Sequence, residues 1–210
     1  MKAIALLLSA SVLAGCSLFG DRASYEAPDY QVVATLDEAV EIRRYQPRLA
    51  VEASVPAEDD ENSAFRLLFA YITGANSGES EIAMTMPVEV AQEPAEIAMT
   101  VPVETAREEG GAMRMRFFLP TAYSLATAPK PTDPRVKLVE VPAEEAAVLR
   151  FSGLRNDSRV AGKTELLRQD LVDSGWRVAG EPVAYFYDPP WTLPPFRRNE
   201  VALPVVRAGD

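Results

Sequence analysis

Helical periodicity occurs at only two places in this chain, and most of the rest alternates with a period of two. Phe65, Leu68, Phe69 and Ile72 fall at i, i+3, i+4 and i+7, the apolar stripe of one helix. The acids Glu58-Asp59-Asp60-Glu61 and the N-cap types Asn62 and Ser63 precede it, and Gly74 supplies its stop. A second helix is predicted from about Val160 to Ser174, carrying Leu166, Leu167 and Leu171 and ending at Gly175. Elsewhere Val40, Ile42 and Arg44 face one way while Glu41, Arg43 and Tyr45 face the other; Leu49, Val51, Ala53 and Val55 repeat the rule. Two antiparallel strands joined near Gln46-Pro47 fit this pattern. Further strands are predicted over 82–90, 97–104, 112–119, 136–141, 146–152, 183–187 and 200–206. Met113, Met115 and Phe117 alternate with Arg114 and Arg116, as in a half-buried strand. Two helices are too few to cover both faces of a parallel sheet. The pattern therefore predicts an α+β fold built on a curved antiparallel sheet.

Two segments interrupt the plain alternation. Residues 81–89, EIAMTMPVE, recur as residues 96–104, EIAMTVPVE, with eight of nine positions identical and an offset of 15. That offset is too short for a solenoid, and two strands joined through Gln92-Glu93-Pro94 fit better. Each internal proline lacks an amide donor and belongs at a sheet edge or bulge. Near the C-terminus, YDPPWTLPPF (residues 187–196) holds four prolines in seven residues, which stiffen a loop and forbid regular structure. It either presents Tyr187, Trp191 and Phe196 to a flat ligand or folds onto the core by its own aromatics.

Charge and rare residues narrow the chemistry. Lys+Arg number 21 and Asp+Glu 31, a net charge of −10, and no basic stripe offsets it, which argues against a nucleic-acid partner. The chain has no histidine and one cysteine. A Ser-His-Asp triad, a Cys-His pair, an HExxH zinc site, a proximal-His haem and an internal disulfide are all excluded. That one cysteine, Cys16, follows Leu13-Ala14-Gly15 at the end of an apolar run of about 12 residues behind Lys2. Such a run is too short to span a bilayer. LAGC resembles the lipobox of bacterial lipoproteins, which implies a leader over residues 1–15 and acylation of Cys16, with two or more chains giving stable anchorage. Ser17 rather than Asp after the cysteine implies the outer membrane, facing the periplasm. Residues 16–29 then read as a lipidated tether, and 30–210 as the folded domain.

The repeated IAMTxPV segments, Arg116-Phe117-Phe118-Leu119-Pro120, Val148-Leu149-Arg150-Phe151-Ser152-Gly153 and YDPPWTLPPFRRNEV resemble the SOUL/haem-binding protein family over about residues 30–206. The resemblance implies a distorted antiparallel β-barrel with two helices, pseudo-duplicated as βαββ and similar to bacterial small-molecule-sensing domains of the gyrase-inhibitory class. It further implies a groove for haem or another tetrapyrrole beside the first helix. Matched by position, Phe65, Phe69 and Ile72 face that groove with Leu68 nearby, and Tyr187 and Trp191 form its lip. A porphyrin is a flat apolar plate with two carboxylates, so Arg66, Arg197 and Arg198 are candidate forks for the propionates. Arg197 and Arg198 pairing with local carboxylates instead is the structural alternative. Without histidine, iron ligation falls to Met, Tyr, Lys or water. Met84, Met86 and Met99 are the sulfur donors, although strand methionines ordinarily fill cores. Binding driven by the apolar groove and indifferent to the metal is the natural consequence.

Three functions remain open on sequence alone. They are a membrane-tethered binding protein for flat hydrophobic ligands, a carboxylate-dependent enzyme in the same groove, and a non-catalytic envelope interaction protein. None of the 31 acids singles itself out as a catalytic pair. The anchoring expectation is directly testable. Cys16→Ser removes the thiol that would form the thioether, so metabolic labelling with a fatty acid is expected to vanish; undiminished labelling would exclude the lipobox.

Overall fold

Alternating stretches become strands, and both apolar stripes become helices, in a computed structural model that describes residues 22–37, 39–57, 61–77, 94–108 and 110–209. The chain opens with β1 (Tyr30–Asp37), β2 (Val40–Tyr45) and β3 (Arg48–Val55), followed by α1 (Glu61–Ile72). Next come β4 (Asn76–Ser77), β5 (Val103–Arg107), β6 (Met113–Phe118), β7 (Lys130–Pro131) and β8 (Val136–Val141). The last part holds β9 (Glu144–Phe151), α2 (Asp157–Asp170), β10 (Trp176–Val178) and β11 (Val183–Phe186). A 3₁₀ turn over Pro194–Phe196 then leads into β12 (Asn199–Arg207). The leader, Cys16, the acids Glu58-Asp59-Asp60, the predicted strand 82–90 with Met84 and Met86, and Gln92-Glu93 lie outside the described residues.

The fold divides into two compact units: Tyr30–Arg44 and Glu144–Asp210 with the residues up to Tyr25, and Glu26–Asp29 with Tyr45–Ala143. In the first unit the strands run β1-β2-β9-β12-β11, with β10 also on β12. β9 and β12 are antiparallel, Phe151 opposite Asn199 and Leu149 opposite Val201. Helix α2 packs on these two strands, and its Leu167 joins Val40, Ile42, Leu149, Val201 and Leu203 in the core. The helix starts three residues before the predicted Val160. The Asn156 side chain caps it, accepting the Arg159 N–H at 3.0 Å. It stops at Asp170, short of Ser174, and the chain turns through Asp173 and Gly175, at φ 57° and 81°. Leu166, read as part of the stripe, is exposed.

In the second unit the order is β5-β6-β3-β8, antiparallel throughout, with β4 paired to β7. Helix α1 packs on β3, β6 and β8. Ala64, Leu68, Tyr71 and Ile72 point inward onto Val51, Met115, Phe117 and Val136. Gly74, at φ 119°, lets the chain leave the helix where an L side chain would be strained.

Several expectations are corrected. The strand order is open in each unit, ending on β1 in one and β8 in the other, so the described residues form no closed barrel. Lys137 and Glu140 stand exposed on β8, charges that keep a sheet edge from pairing further. β2 and β3 are not a hairpin: β2 lies between β1 and β9, β3 between β6 and β8. The chain passes from one unit to the other at Arg44–Tyr45, just before Gln46-Pro47. Alternation in β2 also fails locally, because Arg43 and Tyr45 are buried while Arg44 is exposed. Predicted strand 97–104 begins only at Val103. Pro102 has no amide for a ladder, and the stretch before it is held singly. Ile97 N–H donates to Ile72 O, Val101 N–H to Glu26 O, and the Thr100 hydroxyl to Phe118 O.

Burial along α1 makes a stability prediction. Leu68 is fully buried, so Leu68→Ala is expected to cost about 2–5 kcal/mol in urea unfolding. Phe69 is 45% exposed, and Phe69→Ala should cost about 1 kcal/mol or less. Equal losses would mean that the helix is seated the other way.

Candidate functional site

A helix that buries one face presents its margins, and on α1 that margin is aromatic. Phe65 and Phe69, four residues apart, stack with ring centroids at 5.8 Å and planes 14° apart. Phe65 also meets Phe117 edge-on at 5.3 Å, which anchors the pair to the core. Phe69 carries the pair outward, being nearly half exposed. Arg66 sits exposed between them in sequence, its guanidinium donating to the Ser63 hydroxyl at 3.2 Å. Leu68 and Ile72 lie inside the core. Met99 is partly buried against the same cluster.

The other predicted site residues belong to the first unit, where Glu200 gathers most of them. Its carboxylate is wholly shut from solvent. Arg43 donates to both oxygens at 2.9 and 3.2 Å, Arg198 donates to one at 2.9 and 2.7 Å, and the Tyr187 hydroxyl donates to the other at 2.7 Å. Arg43 donates in turn to Glu41 at 2.7 Å. Burial pushes the Glu200 carboxyl upward in pKa; the hydrogen bonds and charge of Arg43, then Arg198 and Tyr187, outweigh it and hold it below the ordinary carboxylate range. Arg198 also lies over the Tyr187 ring at 4.1 Å. Tyr187 is therefore buried, with ring and hydroxyl both engaged.

The loop between β11 and β12 is tied at its root. Buried Asp188 accepts two bonds from Arg22, at 2.7 and 2.8 Å, and the Arg198 N–H at 2.7 Å. Arg197 donates to the carbonyls of Thr192 and Pro190 at 2.7 and 2.6 Å. The predicted forks are thus engaged by the fold itself, Arg198 on a carboxylate and Arg197 on its own loop. Trp191 remains 61% exposed at the tip.

Each unit also holds a cavity. One of about 550 Å³ in the first unit is lined by Tyr30, Arg43, Arg150, Phe196 and Arg198 among others. One of about 290 Å³ in the second unit includes Arg48, Leu49, Thr100, Phe118 and Tyr123. Arg48 is sandwiched there by Tyr45 at 4.4 Å and Phe118 at 4.8 Å. Sequence reading passed over Arg43, Arg48 and Glu200. For Arg48 and Glu200 the available signal was a charge in a largely apolar strand, which demands a partner once buried; β2, with Glu41 and Arg44 beside Arg43, gave no such signal. Tyr71 was passed over as well. Its hydroxyl donates to Pro129 O at 2.8 Å, and burial, reinforced by Tyr123, pushes its pKa to about 12, so it stays a neutral phenol. Among the described residues no group of three or more His, Cys, Asp or Glu is placed to hold a metal ion.

The SOUL heme-binding protein family profile matches residues 25–204. No curated protein matches the chain. Among solved structures, the EcmrR C-terminal domain aligns with a TM-score of 0.55 at 13% identity, over 85% of this chain and 99% of that one. A hydrolase from Listeria innocua aligns with a TM-score of 0.53 at 12% identity, over 80% and 92%. At these identities the two structures speak for the fold alone.

Glu200 makes a pH prediction. A carboxyl held below its unfolded pKa stabilises the fold above the unfolded value and loses that contribution as pH falls through the folded value. Glu200→Gln leaves Arg43 and Arg198 facing a neutral group, and is expected to cost about 3–5 kcal/mol at neutral pH. Its urea stability should also decline less steeply with acid than the wild type's. Parallel acid limbs would show that Glu200 carries no linkage.

Proposed function

The chain belongs to the SOUL heme-binding protein family, and from that premise we propose that it is a lipid-tethered binding protein for haem, another tetrapyrrole or a similarly flat hydrophobic ligand. The observation that carries this reading is the stacked Phe65–Phe69 pair, rigid because Phe65 rests on Phe117 and open because Phe69 is half exposed. A flat apolar plate gains most from aromatic surface that is already ordered, since little side-chain freedom is lost on binding. Arg66, exposed beside the pair and donating to the Ser63 hydroxyl, is the cation best placed for a carboxylate. Arg197 and Arg198 would have to leave the loop carbonyls and Glu200 to serve, and Tyr187 would have to leave Glu200.

The residues suit the macrocycle better than its iron. The sequence has no histidine, Met99 packs against the core, and Tyr71 remains protonated through neutrality. Bound haem would bring its own iron chemistry, while this chain supplies a flat wall, a cation and exclusion of water on one face. The tether belongs to the same reading. LAGC ends the apolar leader, and acylation of Cys16 would hold the protein at the outer membrane, facing the periplasm. A binding protein there would keep a poorly soluble ligand in solution near the bilayer.

Titration of haem and metal-free protoporphyrin at equal salt and pH tests the account. Affinities are expected to agree within about tenfold, or ~1.4 kcal/mol. Phe69→Ala should weaken both ligands by about tenfold or more, the order of one lost aromatic contact, with little change in melting temperature. A hundredfold preference for haem, lost in a Met99 variant, would show that the metal is read directly. Unchanged affinity in Phe69→Ala would remove α1 from the site.

A further inference from the structure

The loop after β11 has a backbone that is largely satisfied from within. Thr192 N–H donates to Pro189 O at 3.1 Å, Phe196 N–H to Leu193 O at 2.9 Å, and Gly153 N–H to Pro194 O at 2.8 Å. Arg197 covers the carbonyls of Pro190 and Thr192, and Arg22 reaches that of Phe196 at 3.3 Å. Pro189, Pro190, Pro194 and Pro195 have no amide to satisfy. A segment with so few unmet backbone groups is cheap to take out of water.

Its side chains match. Trp191 is 61% exposed, Phe196 45% and Leu193 44%. No acidic residue occurs from Pro189 to Arg197, in a chain of net charge −10. The tip is thus apolar, uncharged apart from the arginine bound beneath it, and stiff.

What covers the tip follows from where the chain is held. Arg22 is locked to Asp188 at the root of the loop, and only five residues separate it from Cys16. The six Cα–Cα steps from Cys16 to Arg22 span at most about 22 Å even when fully extended. An acylated Cys16 therefore keeps the Arg22 backbone within that distance of the headgroups, and the loop root lies one ion pair beyond it. Tryptophan, with an apolar body and an N–H to leave in water, is the side chain most at home in that layer. Resting on the lipid-tethered reading above, we infer that Trp191, Leu193 and Phe196 dock in the interface of the membrane that holds Cys16. The Arg22–Asp188 pair sets the reach, so the tether is a short strap rather than a long leash.

Acylated protein purified from the envelope and reconstituted into phosphatidylethanolamine–phosphatidylglycerol vesicles with brominated acyl chains provides the test. The chain has two tryptophans, and Trp176 is buried at 9% exposure. About half of the emission is expected to be lost relative to unbrominated vesicles, all of it from the interfacial tryptophan. Trp191→Phe should abolish that loss, and Arg22→Ala should diminish it by freeing the strap. Fatty-acid labelling of the same samples reports the tether separately. Labelled protein whose Trp191 stays equally bright in both vesicles would overturn the docking and leave the tether standing. Unlabelled protein would overturn the tether and this inference with it. Loss that persists in Trp191→Phe would overturn the docking alone.

Discussion

A carboxylate removed from water must be answered by charge, and much of the first unit is organised by that requirement at Glu200. It holds Arg43 from β2, and Arg198 and Tyr187 from the two ends of the Pro-rich loop, onto one strand position of β12. Removing one partner would leave an uncompensated ion in a low-dielectric site, so these elements cannot shift independently. The adjacent arginines, between the 3₁₀ turn and β12, divide the labour. Arg198 turns inward to Glu200, while Arg197 turns outward to the loop's own carbonyls. A motif that suggests two free cations is in fact a hinge post.

The same economy shapes α1. Leu68, Tyr71 and Ile72 are spent on the core, and the margin of the stripe is what the proposed flat ligand would meet. The aromatic pair is useful because it is not free to collapse: Phe117 supports Phe65 from the core side. A recognition surface of this kind depends on the packing beneath it as much as on its own side chains.

Local periodicity made part of this legible. The stripe from Phe65 to Ile72 marked α1, and the run 136–141 marked β8, because both signals are carried within a few residues. Where partners are distant in sequence the reading failed. Arg43 and Glu200 are 157 residues apart, so no window contains the reason why Arg43 is buried. The hairpin expected at Gln46-Pro47 failed likewise, since alternation specifies that a strand forms and says nothing about its neighbour. In the repeat, near-identical sequence encouraged a strand in the second copy, but Pro102 has no amide for a ladder and the Thr100 side chain bonds to Phe118 O instead. In α1 the stripe gave the helix without dividing core from margin, a distinction settled by which sheet residues lie opposite.

The division of the chain between its two units has a consequence for biogenesis. Apart from Glu26–Asp29, the second unit is one continuous stretch, Tyr45–Ala143, whereas the first joins Tyr30–Arg44 to Glu144–Asp210. A polypeptide synthesised N-terminus first can therefore complete the second unit's sheet while β1 and β2 still lack β9 and β12. Val40 and Ile42 have no core to enter until Leu149, Val201 and Leu203 arrive from the far end of the chain. Closing that loop carries the larger entropic cost and falls last, which makes the final strand the step that commits the new polypeptide. A chain cut short before β12 would present an unpaired apolar edge to the quality-control machinery rather than a smaller version of the fold.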